Sequence, residues 1–247
     1  MFDNELKIGS WNVGSMLSDI ERNLHFVKET IKEHNPDVIC FQEFPDIKEI
    51  REEILNSVGY GSSVFKVMSE SHVAPGLNVG LFVCSKYELT SSIIHKLLKP
   101  ITRVYYNGNE EFWHDKFFLK TGISLNGMQV AIVTGHSFPF YRYKLDEKEY
   151  DWVFNSIEDW IIDCCNESTF IVAADFNSGN PMDYMSRISQ HNVDAFYGQA
   201  TRPSGRKTDA IIIPNGFIIK SKINETIESK NAAGRFDHNF LMLHLAL

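Results

Sequence analysis

Short apolar runs alternate along the chain with longer stretches of 3.6-residue periodicity, the pattern of mixed α/β structure. Residues 6–13 are short, apolar and strand-compatible. Ser18-Asp19-Ile20-Glu21 then offers a capping box, and the spacing predicts a helix striped by Ile20, Leu24, Val27 and Ile31. His34-Asn35-Pro36 ends it, because proline pushes the residue before it out of the helical region. Val38-Ile39-Cys40-Phe41 reads as a buried strand, and Asp46-Ile47-Lys48-Glu49 repeats the cap signature ahead of a helix carrying Ile47, Ile50 and Ile54.

Beyond residue 60 the pattern shortens. Residues 64–67, 79–84 and 89–98 read as strands, and Asn126-Gly127 joins 117–125 to 128–134 as a hairpin, since that dipeptide favours the turn matching strand twist. Helical spacing returns at Tyr150, Val153, Phe154, Ile157, Trp160 and Ile161, followed by a strand at 170–174. Residues 210–213 and 217–219 flank a second Asn-Gly turn, and 240–245 form a last strand. With no repeat, linker or low-complexity segment in 247 residues, the expectation is one domain over 1–247, an α/β sandwich with substantial antiparallel sheet.

Composition narrows the function classes. Charged residues at 23% and hydrophobic ones at 43% describe a chain that folds throughout. The net charge of −8 argues against indiscriminate grip on nucleic acid, which comes from Lys and Arg neutralising phosphates, and leaves a local basic groove open. Neither a signal-like leader nor an apolar run of membrane-spanning length is visible, so a soluble, cytoplasmic protein is expected, acting as a monomer. Cys40, Cys84, Cys164 and Cys165 have no metal or disulfide spacing and read as free thiols.

Chemistry enters at the strand ends. Asn12, Glu43, His136, Asp175 and Asn177 each follow an apolar run, and Asp237-His238 precedes the last one, where side chains of a sheet edge converge on a cleft. Any one of them alone is ordinary strand-end solvation. In series, Trp11-Asn12-Val13, Gln42-Glu43, Gly135-His136-Ser137, Ala174-Asp175-Phe176-Asn177, Thr208-Asp209-Ala210-Ile211 and Phe236-Asp237-His238 resemble the endonuclease/exonuclease/phosphatase superfamily over nearly the whole chain.

That resemblance implies a four-layer α/β/β/α sandwich of two packed mixed, largely antiparallel sheets flanked by helices, and divalent-metal-dependent hydrolysis of phosphoesters. It implies Mg²⁺, with Mn²⁺ as a substitute, on Glu43, with Asn12 and Asp237 completing or orienting its shell. Asp209 is implied as partner of His238, fixing its tautomer; either Asp175 or His238 activates the water. Asn177 is implied as an amide donor to phosphate, and His136 as a donor to a non-bridging oxygen or the leaving group. The chain departs from the family pattern at Ala174, where glycine is usual, and at Phe236, where serine is usual. An arginine that some members carry in the strand before His136 has only Lys116 or Lys120 nearby.

For the substrate, Arg202, Arg206 and Lys207 crowd ahead of Asp209, Lys230 and Arg235 precede Asp237, and residues 138–143 carry four aromatic rings. These favour a nuclease or phosphodiesterase acting on nucleic acid. The alternative is a small-molecule or lipid-headgroup phosphoesterase on the same machinery, and a third reading is a binding module without turnover. His25, His34, His72, His95, His114, His191 and His244 lack ligand spacing and are assigned to surface or core.

Overall fold

The apolar runs pair into two six-stranded sheets in a computed structural model that describes residues 5–100, 103–106, 109–112, 114–165, 169–230 and 233–247. In chain order the strands are β1 (Glu5–Asn12), β2 (Val38–Pro45), β3 (Ser62–Glu70), β4 (Asn78–Ser85), β5 (Ile93–Lys96), β6 (Arg103–Tyr106) and β7 (Asn109–Phe112). They continue as β8 (Phe117–Leu125), β9 (Met128–Gly135), β10 (Thr169–Asp175), β11 (Asn192–Asp194), β12 (Asp209–Pro214), β13 (Ile218–Glu225) and β14 (Phe240–Ala246). The helices are α1 (Ile20–His34), α2 (Lys48–Val58), α3 (Asp151–Cys165) and the one-turn α4 (Ser186–Ser189).

The first sheet runs β13-β14-β1-β2-β4-β3, the second β11-β12-β10-β9-β8-β5, and β6 pairs with β7 alone. Only β1 with β2 and β9 with β10 are parallel; all other pairs run antiparallel. Ile8, Val38, Leu81, Leu119, Ile132, Ile171 and Leu243 fill the space between the sheets. α1 and α2 bury Leu24, Val27, Ile31, Ile50 and Ile54 on the outer face of the first sheet, and α3 buries Val153, Phe154, Ile157 and Ile161 on that of the second. The result is the expected four-layer α/β/β/α sandwich. Among the described residues no helix is long and apolar enough to cross a membrane.

Local chemistry explains most boundaries. Asn35 takes a left-handed conformation (φ 47°) and its N–H returns to Ile31 O, so α1 stops before Pro36. Asn126 and Gly127 both have positive φ (51° and 86°), which the tight β8–β9 hairpin requires. Both helix starts differ from expectation. Residues 14–18 form a 3-10 turn in which the Ser18 hydroxyl donates to Ser15 O, so Asp19 caps α1 through Arg22 N instead. At α2 the Asp46 carboxylate is drawn to Arg51 at 2.8 Å, leaving Ile47 as an N-cap with no side-chain bond. The second Asn-Gly turn joins β12 to β13, which lie in different sheets.

Candidate active site

Both sheets aim the same edge at one cleft. The C-terminal ends of β1, β9 and β10 deliver Asn12, His136 and Asp175, and β2 delivers Glu43. The antiparallel β12 and β14 start at that edge, so Asp209 lies opposite Asp175 and the residues before Phe240 lie beside Asn12. The cavity, about 140 Å³, is lined by Asn12, Glu43, His136, Asp175, Asn177, Asp237 and His238 among others. Asp209 stands behind His238 and is buried.

Glu43 reaches the cleft through an irregularity. The β2–β4 register slips between Phe41 and Phe44, and Glu43 adopts φ +53°, unusual for a residue with a side chain. Asn177 does the same at φ +52°. Such conformations cost energy and persist where packing over-determines them, as at functional sites. Gly14 makes room for the Glu43 carboxylate, because a Cβ there would run into Glu43 Oε2. Gln42 points between the sheets, its Nε2 donating to Thr134 Oγ1 at 3.0 Å.

The deepest part of the cleft is a carboxylate–histidine network. His238 Nδ1 donates to Asp209 Oδ2 at 3.0 Å, and Thr201 and Thr208 donate to the same oxygen at 2.8 and 2.9 Å. Burial works against a charge on His238, but Asp209 and Asp175 outweigh it and raise the imidazole to about 9. Burial likewise opposes charge on Asp209, yet His238 and these donors hold its carboxyl below the usual range. Asp175 goes the other way: burial, then the neighbouring Asp209 charge, push it up to about 6, although His238 and the Asn12 amide (2.9 Å) favour its anion. Asp175 Oδ1 also accepts from Asn177 N at 2.8 Å, while the Asn177 amide donates to Ser137 O at 3.0 Å.

His136 differs from His238. Lys116 Nζ lies 3.1 Å from its Nδ1 and 3.2 Å from its Nε2. Burial, then Lys116 and His238, hold His136 well below the ordinary histidine range, so the ring is neutral. A neutral imidazole serves as a hydrogen-bond partner and not as an acid. The Lys116 ammonium is itself depressed by burial, offset by Glu43 and Asp175.

The donor set fits a divalent cation at Glu43. Its Oε1 stands 3.4 Å from His136 Nδ1 and 4.0 Å from Lys116 Nζ, longer than charge-assisted hydrogen bonds, so a buried carboxylate (8% exposed) faces the cleft without close compensation. Asn12 Oδ1 accepts from Gly14 N at 2.9 Å, and Asp237 lines the same cleft. Asp175, Asp209 and His238 also bring ligand atoms within 4.8 Å of one another, which could hold an ion. There, however, the Asp209 carboxylate already accepts from Thr201, Thr208 and His238, whereas Glu43 Oε1 stands farther from its cationic neighbours and offers the less encumbered oxygen.

All eight expected residues thus converge on one network. Others were not anticipated. Thr201 holds Asp209 from across a loop, Ser15 holds Asp237, and His72 and His114, assigned to surface or core, line the cleft, while Arg202, expected as a basic residue near the cleft, bonds Asp237. Loop closure brings these in, and spacing carries no signal of it. The basic residues scatter: Lys207 pairs with Asp194 at 2.7 Å, Arg206 stacks on Tyr141 at 4.6 Å and Lys230 covers the Phe26 ring. Of the five, only Arg202 lines the cavity.

Residues 9–211 match the model of the Endonuclease/Exonuclease/phosphatase family. Among solved structures, the human Nocturnin catalytic domain with bound sulfate anion is 15% identical, with 98% of this chain and 93% of that one covered and a TM-score of 0.72. An endonuclease/exonuclease/phosphatase from Beutenbergia cavernae is 16% identical over 98% and 72% of the two chains (TM-score 0.69). The mannosyl-6-phosphatase Bt3783 of Bacteroides thetaiotaomicron is 12% identical over 98% and 100% (TM-score 0.66). Among curated proteins no sequence matches.

Proposed function

Because the chain belongs to the endonuclease/exonuclease/phosphatase family, we propose that it is a divalent-metal-dependent phosphoester hydrolase working by in-line attack of water. The observation that carries this reading is the pairing, within one cleft, of a carboxyl pushed up to about 6 (Asp175) with an imidazole raised to about 9 by Asp209 (His238). Near neutral pH the first is a base and the second a cation.

Asp175 takes the proton of the attacking water, its orientation set by Asn12 Nδ2 and Asn177 N. His238, kept charged by Asp209, faces the phosphoryl oxygens and stabilises the charge that develops there. Neutral His136, the free N–H of Asn177 and the Lys116 ammonium supply further donors, Lys116 in the role for which other members use arginine. Glu43, with Asn12 and Asp237, would hold Mg²⁺, or Mn²⁺ in its place, which would supply Lewis-acid neutralisation of the charge that develops on the phosphoester.

For the substrate, the dispersal of the basic residues supports a compact phosphoester over a nucleic-acid strand, which needs a track of free cations. Lys207 is sequestered by Asp194, Arg206 and Lys230 lie against rings, and Arg202 is bound to Asp237. A fold shared with a sugar phosphatase agrees with this. The test is hydrolysis of p-nitrophenyl phosphate, bis(p-nitrophenyl) phosphate, sugar phosphates, phospholipids, RNA and DNA, with Mg²⁺ or Mn²⁺ and with EDTA. Turnover of small esters or headgroups, lost in EDTA, is expected. Undiminished activity in EDTA sinks the metal role, and cleavage of nucleic acid alone sinks the compact substrate.

A further inference from the structure

Asp237 differs from the other acidic groups of the site in that burial does not hold it: half of its side chain (51%) is exposed. An exposed carboxylate keeps one rotamer only if bonds fix it, since otherwise side-chain entropy releases it. The residue before it offers none. Phe236 is fully buried with its ring centroid 4.8 Å from that of Trp11, so the side chain at this position belongs to the core. Instead, the Ser15 hydroxyl donates to Asp237 Oδ1, and Arg202 grips the residue twice, Nη2 to Oδ2 at 2.5 Å and Nε to the main-chain oxygen at 2.9 Å. A third donor, Arg202 Nη1, reaches the Tyr141 hydroxyl at 2.6 Å.

The loop that presents Arg202 is itself tied to the site. Its neighbour Thr201 donates to Asp209 Oδ2 and accepts from Asn239 N through its carbonyl at 2.9 Å. Arg202 N donates to Arg206 O and Gly205 N to Arg202 O, closing a turn in which Gly205 has φ +83°. Two adjacent residues therefore brace the Asp237-His238 dipeptide, Thr201 by way of Asp209 and Arg202 directly.

We propose that Arg202 is a positioning residue of this site: its guanidinium holds Asp237 in place and, through Tyr141, ties the loop after β9 to the loop before β14. This rests on the hydrolase reading, in which Asp237 belongs to the catalytic machinery. Three of its five N–H groups are engaged by Asp237 and Tyr141, so Arg202 acts here through Asp237. Lysine, a point donor without the planar fork, cannot make the three bonds together.

The test compares R202A, R202K and Y141F with the wild type on whichever small phosphoester is turned over. R202A is expected to lose about 10- to 100-fold in kcat with KM within about 3-fold, as misplacement by an ångström does. R202K recovers part of the loss, millimolar methylguanidinium added to R202A restores more, and Y141F loses only a few-fold. A second readout is independent of turnover. The Trp11 indole N–H donates to His238 O at 3.2 Å, so its hydrogen exchange, followed by NMR, should accelerate in R202A and slow again with methylguanidinium. A rise in KM at unchanged kcat, or wild-type turnover and exchange in R202A, overturns the proposal. If the wild type hydrolyses no phosphoester the hydrolase reading falls, and Trp11 exchange still decides whether Arg202 holds the segment.

Discussion

Asp209 and His238 form a buried pair, Oδ2 to Nδ1 at 3.0 Å, and two threonine hydroxyls donate to the same carboxylate oxygen. The pair also links folding stability to pH. His238 has its folded pKa raised to about 9 against an ordinary value near 6.5. Its protonation therefore contributes stability that is fully present below about pH 6.5 and is lost as pH rises through 9. Urea unfolding of the metal-free protein should show lower stability at pH 9.5 than at pH 6.5. In D209N that slope should flatten and the His238 resonance should titrate at least one unit lower, with kcat down about 100-fold or more. An unchanged His238 titration in D209N would remove Asp209 from its assigned part.

Asp175 predicts the acid limb of the rate profile. Burial and Asp209 raise its pKa to about 6, and a base must be deprotonated to act, so kcat/KM of the free enzyme should rise with pH through about 6 and level off above it. D175N should lose both the limb and the activity. A profile flat from pH 5 to 7 counts against Asp175 as the base.

Gly14 gives a test of Glu43 that leaves Glu43 itself in place. A Cβ at position 14 would overlap Glu43 Oε2, and Gly14 does not need positive φ, so G14A acts by displacing the carboxylate. Calorimetric Mn²⁺ binding and kcat should both fall about 10-fold or more, while the melting temperature moves by a few degrees at most. Wild-type Mn²⁺ affinity in G14A would place the ion elsewhere, with Asp175, Asp209 and His238 the other ligand group available.

Phe236 separates folding from chemistry. Its ring is fully buried against Trp11, on which Phe240 also packs at 5.7 Å. F236A should cost about 3–5 kcal/mol in urea unfolding, the usual loss for a phenylalanine cavity. A loss below about 1 kcal/mol would mean the ring is not the anchor of the segment that carries Asp237 and His238.

How much was legible in the chain depends on the range of the interaction. Hydrophobic periodicity and the Asn126-Gly127 turn marked most of the strands, α1, α2 and α3 and the β8–β9 hairpin, because these depend on neighbours within a few residues, while the short β6, β7 and β11 carried too little pattern to be read. Seven of the eight residues that meet at the cleft were marked by their places at strand ends, since such a side chain inherits its place from the sheet, and Asp209 was supplied by the family resemblance alone. Even locally, short-range competition shifted detail: Asp19 caps α1 in place of Ser18, and Arg51 draws Asp46 away from the cap.

Only the tertiary structure decided how those residues are charged and held. Two histidines of the same type end up with opposite character, His136 neutral beside Lys116 and His238 cationic beside Asp209, since a pKa depends on burial and on charges brought in from distant strands. Lys207 and Arg202, five positions apart in one loop, part company for the same reason, one pairing with Asp194 and the other reaching Asp237. Residue type, place at the strand ends and the family resemblance named the groups that meet at the cleft; three-dimensional closure, which joins Ser15 to Asp237 and Thr201 to Asp209, determined how they are held there.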